Sequence, residues 1–318
     1  MKKYLVFIPI VIALLVAVII SIALHVDTFE VMTIPRSYSY VSTYSDSDTM
    51  DVLVYVSSKN SYLTRKGSVE NCYIKGRDNL DEMKIDLLDI TDCDMKTKVY
   101  NHNFYLYKFS FDISFTVSTE YELSINDAIL TMEYGQKEVV FELGSFYYYK
   151  MPYYGDDSNN LVVTSLSPVL GYIKENRTIS GIKIGIRNNA NRDITINDIK
   201  LLDPNIYPFL DDVRIVSSDL GTLETISSIL GYNYNISSNE IDSGSINLTI
   251  GKKDEITIVV PIKYLNDYPI NTLGFIISYQ EKDSSDVIKY YYDDYVFFNS
   301  AKETYDEGKV VITTYENN

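Results

Sequence analysis

The thirteen residues from Tyr105 to Val117 constrain the fold more than any others. Tyr105, Tyr107, Phe109, Phe111, Ile113, Phe115 and Val117 alternate there with Lys108, Ser110, Asp112, Ser114 and Thr116. Successive Cβ atoms of an extended chain point to opposite sides, so a period of two marks a β-strand with one face in a core and one in water. A helix would scatter the same residues around its circumference.

The pattern recurs along the chain. Val52, Val54 and Val56 alternate early, and Leu130, Met132 and Tyr134 lead through Gly135-Gln136 into Val139, Phe141 and Leu143, which predicts a hairpin. Ile182, Ile184 and Ile186 turn through Asn188-Asn189-Ala190-Asn191 into Ile194 and Ile196, predicting a second. Ile246, Leu248 and Ile250 against Ile256, Ile258 and Val260 predict a third, and Phe275, Ile277 and Tyr279 against Val287 to Tyr292 a fourth. Short strands between turn clusters predict an all-β chain of tandem immunoglobulin-like β-sandwich domains. One helix is predicted over 218–231, where Leu220, Leu223, Ile226 and Leu230 recur at helical steps behind Ser218 as N-cap.

Ahead of all this stands Leu5 to Leu24, twenty uncharged residues of which fifteen are Leu, Ile, Val or Phe. At about 1.5 Å per helical residue the run reaches about 30 Å, the thickness of the hydrocarbon layer, which predicts one transmembrane helix. Lys2 and Lys3 precede it and Asp27 and Glu30 follow. The positive-inside bias therefore predicts a cell-membrane protein with a cytoplasmic N-terminus and everything after the anchor extracytoplasmic. The competing reading is a cleaved signal peptide, for which Ser21-Ile22-Ala23 offers small residues. The run exceeds the roughly 7–15 residues of a signal h-region.

With residues 1–26 assigned to tip and anchor, the polar stretch 27–50, containing Pro35, reads as a stalk. The remainder is too long for one ordinary core and predicts two units. Tyr147 to Gly155 and the polar cluster Asp156 to Asn160 interrupt the alternation, placing sandwiches at 51–155 and 161–299 and a C-terminal strand or tail at 300–318. At an offset of 71, Phe111, Ile113 and Phe115 align with Ile182, Ile184 and Ile186, by internal duplication or by the shared grammar of sandwiches.

The chain carries 44 acidic and 28 basic side chains, and beyond Lys2 and Lys3 its net charge is −18. Such a surface repels nucleic acid, so no nucleic-acid partner is expected. Asp46-Ser47-Asp48, Asp156-Asp157, Asp211-Asp212 and Asp293-Asp294 match no spaced calcium signature, and no metal site is expected. Cys72 and Cys93 enclose twenty residues. Outside the cytoplasm a disulfide between them is permitted; the other reading is two separate thiols.

Candidate chemistry is sparse. His25 and His102 are the only histidines, and no G-x-S-x-G, P-loop or G-x-G-x-x-G motif is present. Neither an enzymatic activity nor a cofactor is expected. Tyr147, Tyr148 and Tyr149 with Tyr153 and Tyr154, and Tyr290, Tyr291 and Tyr292, are the candidate contact residues. Consecutive aromatics in a strand point to both faces, so some lie outside the core unless another domain covers them. The leading expectation is a single-pass, non-enzymatic extracytoplasmic protein that binds or scaffolds another membrane or envelope protein. The alternative is a surface glycan- or ligand-binding adhesin using those tyrosines.

Overall fold

The alternating stretches become strands in the computed structural model, which describes residues 28–42, 48–78, 82–114, 121–150, 160–173, 176–217, 225–266, 268–296 and 310–316. The apolar run at 5–24, and Tyr153 and Tyr154, lie outside the described residues. Among the described residues no helix is long and apolar enough to cross a membrane.

A first unit contains β1 (Thr28–Thr33), β2 (Arg36–Ser42), β3 (Thr49–Val56), β4 (Asn71–Gly76), β5 (Glu82–Val99), β6 (His102–Asp112), β7 (Tyr121–Tyr134) and β8 (Lys137–Lys150). A second contains β9 (Leu161–Ile173), β10 (Asn176–Asn188), β11 (Ile194–Leu201), β12 (Ile206–Pro208), β13 (Arg214–Val216), a helix α1 (Ile226–Leu230), β14 (Leu248–Ile250), β15 (Glu255–Tyr264), β16 (Thr272–Glu281) and β17 (Val287–Val296). The last strand, β18 (Val311–Glu316), returns to the first unit and pairs with β1.

The first unit is one sheet path, β18-β1-β3-β6-β5-β4-β7-β8-β2, in which β5 turns the corner between two layers. Its opening residues pair with β4 and the rest pair with β6. Val52, Val54, Phe109 and Phe111 face Ile74, Leu130, Met132, Phe141 and Tyr148 across the shared core. Each such side chain contributes about 1.5–3 kcal/mol by leaving water. β7 and β8 form the predicted hairpin, and Gly135 at φ +64° supplies the left-handed turn. β18 closes the side: the Tyr315 hydroxyl donates to Val140 O and accepts from Val140 N–H, on the part of β8 that β2 does not reach.

The stretch expected to be a stalk is corrected here. Thr28–Thr33 and Arg36–Ser42 are strands, with Phe29, Val31, Tyr38 and Tyr40 in the first core. The serines of Arg36–Ser42 made it look solvated, yet Ser37 and Ser39 are fully buried because their hydroxyls are hydrogen-bonded.

In the second unit the sheet β12-β15-β10-β9, with β13 also on β15, faces the sheet β14-β11-β16-β17. Ile182, Ile184, Ile186, Ile258 and Val260 meet Ile194, Ile196, Ile199, Phe275, Ile277 and Tyr279 between them. Two predicted hairpins are corrected. β10 pairs with β9 and β15, whereas β11 pairs with β14 and β16, so the turn at 188–191 crosses from one sheet to the other. The turn at 251–254 does the same. Buried Asn188 ties the two crossings together, its amide donating to Arg192 O, Ile250 O and Gly251 O. β16 and β17 do form a hairpin.

The helix is shorter than the predicted span. It begins at Thr225, where Thr225 and Ser228 form a reciprocal capping box, and ends at Gly231. Ser218 lies outside the described residues.

Candidate functional site

β2 is the terminal strand of the first unit's sheet path, and it is this strand that meets the second unit. Ser37 N–H donates to Pro269 O at 2.9 Å and Ser37 O accepts from Asn271 N–H at 2.8 Å. Ser39 N–H donates to Thr272 Oγ1, and Gly274 N–H donates to Ser39 Oγ, both at 3.0 Å. An edge that would otherwise offer unpaired backbone groups is thereby joined to the lead-in of β16. Gly274 permits the approach, since a Cβ there would stand 2.7 Å from Val41 Cγ2 and 3.3 Å from Val41 N.

An apolar layer lies beside these bonds. Val41, Tyr147 and Tyr149 from the first unit pack with Leu202 and Ile276 from the second, and Tyr291 borders them. The rings of Tyr149 and Tyr291 are parallel within 4° at 5.9 Å between centroids.

Asp203, buried beside Ser145, contributes a carboxyl to the junction. Its Oδ1 accepts from Asn205 N–H at 2.7 Å, and its Oδ2 accepts from Ser145 Oγ at 3.0 Å. Ser145 in turn accepts from Ser37 Oγ, 2.8 Å away. Burial pushes the carboxyl up to about 7, because losing water penalises the anion more than the bonds from Asn205 and Ser145 favour it.

Tyr148 is fully buried in the first core, while its neighbours Tyr147 and Tyr149, 5% and 8% exposed, turn to the junction. Tyr290 and Tyr292 pack against the second core, with Tyr292 stacked on Phe275 at 4.8 Å, and Tyr291 faces the first unit. Alternation divides each triplet between a core and the junction, as two-faced aromatics require, and the members that face the junction are covered by the other unit of the same chain. Ser37, Ser39, Ser145 and Asp203 were missed. The available signal was the Ser-Tyr alternation of Ser37 to Tyr40, whose period of two is hidden by its polarity.

Cys72 and Cys93 are both free thiols. Cys72 lies opposite Ile85, and Cys93 is eight residues further along β5, about 26 Å of extended chain where a disulfide needs Cα atoms within about 7 Å. Burial pushes the Cys72 thiol up to about 12, and also raises that of half-buried Cys93. Native protein is expected to react with a thiol reagent at Cys93 alone, and denatured, unreduced protein at both. Failure of both to react after denaturation would show that they pair.

His102 Nδ1 lies 2.5 Å from Glu30 Oε2 at an exposed position. Among the described residues no group of His, Cys, Asp and Glu is arranged to hold a metal ion. The junction can couple two bodies.

No protein-family model matches this chain, and no curated protein does. A solved structure of a protein of unknown function from Porphyromonas gingivalis W83 is similar over 83% of this chain and 97% of that one, at 10% identity and a TM-score of 0.20. At that score the likeness carries no argument.

Proposed function

We propose that the chain is a single-pass, outward-facing, non-enzymatic membrane protein whose two sandwiches act as one stiff body to bind or scaffold another envelope component. The observation that carries this reading is the junction, where hydrogen bonds, stacked tyrosines and a buried carboxyl join β2 and β8 to the second unit. A stiff body holds its faces at fixed positions relative to whatever anchors it. The apolar run at 5–24 is the anchor in this reading, and only His25, Val26 and Asp27 separate it from β1. Three residues span at most about 10 Å, so the first sandwich would sit close to the bilayer surface. Tethering raises the local concentration of a membrane partner, and the acidic surface suits one with a basic patch.

The strand order of the second unit supports the immunoglobulin-like reading there. Its β9-β10-β15-β12 sheet facing β11-β16-β17 follows the A-B-E-D and C-F-G order of constant-type domains, with β14 added beside C. The first unit, with β2 parallel to β8, is read as a sandwich of its own order. The domain limits that follow are 28–150 with 311–316, and 161–296.

The test is crosslinking in intact cells followed by detergent extraction. A specific membrane or envelope protein is expected to be recovered with the chain. Recovery as a monomer alone, with a secreted form lacking residues 1–26 restoring the phenotype of a deletion, would contradict the proposal.

A further inference from the structure

We infer that the tip of the β5–β6 hairpin rests on the bilayer surface and takes anionic phospholipid headgroups as its partner. The inference rests on the anchored reading above, in which β1 begins beside the bilayer and the Thr28 end of the first unit faces the headgroups. Register places the hairpin at that end. Val31 pairs with Val56 and Val56 with Tyr105, so β1 and β6 run the same way, and Thr28 stands level with His102, three residues before each. His102 pairs with Val99, which leaves Tyr100 and Asn101 as a turn beyond that level. β6 lies two strand spacings from β1, about 10 Å to the side. The Lys137 end of β8 is at the same end, since Lys137 Nζ donates to Glu316 O and Glu316 pairs with Thr28. The second unit meets β2, which pairs with β8 only from Gly144 onward, and so leaves this end clear.

The tip has the chemistry of a membrane contact. From Met95 to Phe111 the chain carries Lys96, Lys98 and Lys108 and no carboxylate, against 44 in the whole sequence. Lys96 and Lys98 are exposed, and Tyr100 is 56% exposed. Tyr100 has φ +45° and Asn101 φ +67°, left-handed positions that Asn and Gly take readily and a bulky ring takes only with strain. Exposed to water, the ring gains little from that position. In the interfacial layer of a bilayer it gains burial for its face while its hydroxyl stays among the headgroups.

The acidity of the rest of the chain does not oppose the contact. Charges more than about 8 Å apart are largely screened at physiological salt. Lys98 is two residues from Tyr100 and Lys96 four, whereas Asp94 is six, roughly 20 Å back along β5. Glu30 Oε2 lies 2.5 Å from His102 Nδ1, Asp92 accepts from Lys59 Nζ at 2.6 Å, and Glu316 ends β18 on the far side of β1. A lysine beside an anionic leaflet is attracted to it, and two flank this ring.

The chain has no tryptophan, so Tyr100→Trp places a single emitter at the tip. Asn101→Trp, one residue on, is a second reporter should the first disturb the fold. The full chain is reconstituted into phosphatidylcholine vesicles and into vesicles with added phosphatidylglycerol, each with and without brominated acyl chains. In the anionic vesicles the emission is expected to shift to the blue and to be quenched by bromine, and in the neutral ones to keep its water-exposed maximum. Adding Lys96→Gln or Lys98→Gln is expected to lower the ratio of inserted to free tip about fivefold, about 1 kcal/mol per lysine, with the thermal unfolding curve unchanged. A chain that floats with the vesicles yet emits at the water-exposed maximum in both would overturn the inference and leave the anchor standing. So would an equal shift in both vesicles that the lysine variants leave unchanged. A chain that floats with neither would overturn the anchored reading and the inference with it.

Discussion

Asp203→Asn is expected to stabilise the protein at pH 8 by about 4 kcal/mol and to flatten its stability between pH 4 and 7. The carboxyl titrates near 3.8 when solvated and near 7 in the folded chain. The folded state therefore holds the proton more tightly, so the favourable contribution is complete below about pH 4. It falls by about 1.4 kcal/mol per pH unit as the unfolded chain alone deprotonates, and it is gone above about pH 7. Asn keeps an oxygen for the Asn205 N–H and adds an amide donor that the Ser145 hydroxyl can accept, without an anion to bury. The lowered carboxyls of Asp92 and Glu255 act in the opposite sense at acid pH, but they are solvent-screened and cancel when wild type and variant are compared. Urea unfolding across this pH range measures the effect. A wild type with level stability, or a variant less stable at pH 8, would show that Asp203 is not the buried acid described.

The second large effect separates two adjacent tyrosines. Tyr148→Ala is expected to cost about 3–5 kcal/mol, because it opens a cavity in the first core beside Tyr121 and Leu123. Tyr149→Ala is expected to cost only about 1–3 kcal/mol, the loss of its stacking on Tyr291 and of its share of junction burial. Equal losses at both positions, measured by denaturant unfolding, would contradict the division of the triplet between core and junction.

Alternation made the strands legible, because burial on one face leaves the same period in any sandwich. Tyr107, Phe109, Phe111 and Ile113 share the first core as their spacing implies, and so do Ile182, Ile184 and Ile186 the second. Pairing partners were less legible. Ile186 and Ile194 flank a polar turn as hairpin residues do, yet they face one core from opposite sheets, and periodicity reports the buried face without naming the neighbour. β2 was hidden for another reason, since Ser37 and Ser39 read as solvated until their buried partners are seen. The triplets were legible as two-faced aromatics; what covered the outward members depended on the approach of β16 to β2, which rests on one glycine, Gly274.

The central claim is that the two units form one body, and native-state hydrogen exchange on the full chain tests it most directly. The amides of Ser37, Ser39, Asn271 and Gly274, all donors across the junction, are expected to exchange as slowly as those of Phe109 and Ile184 in the two cores. Rapid exchange at those four amides, with the cores still protected, would mean that the two units part freely and that the stiff-scaffold account is wrong.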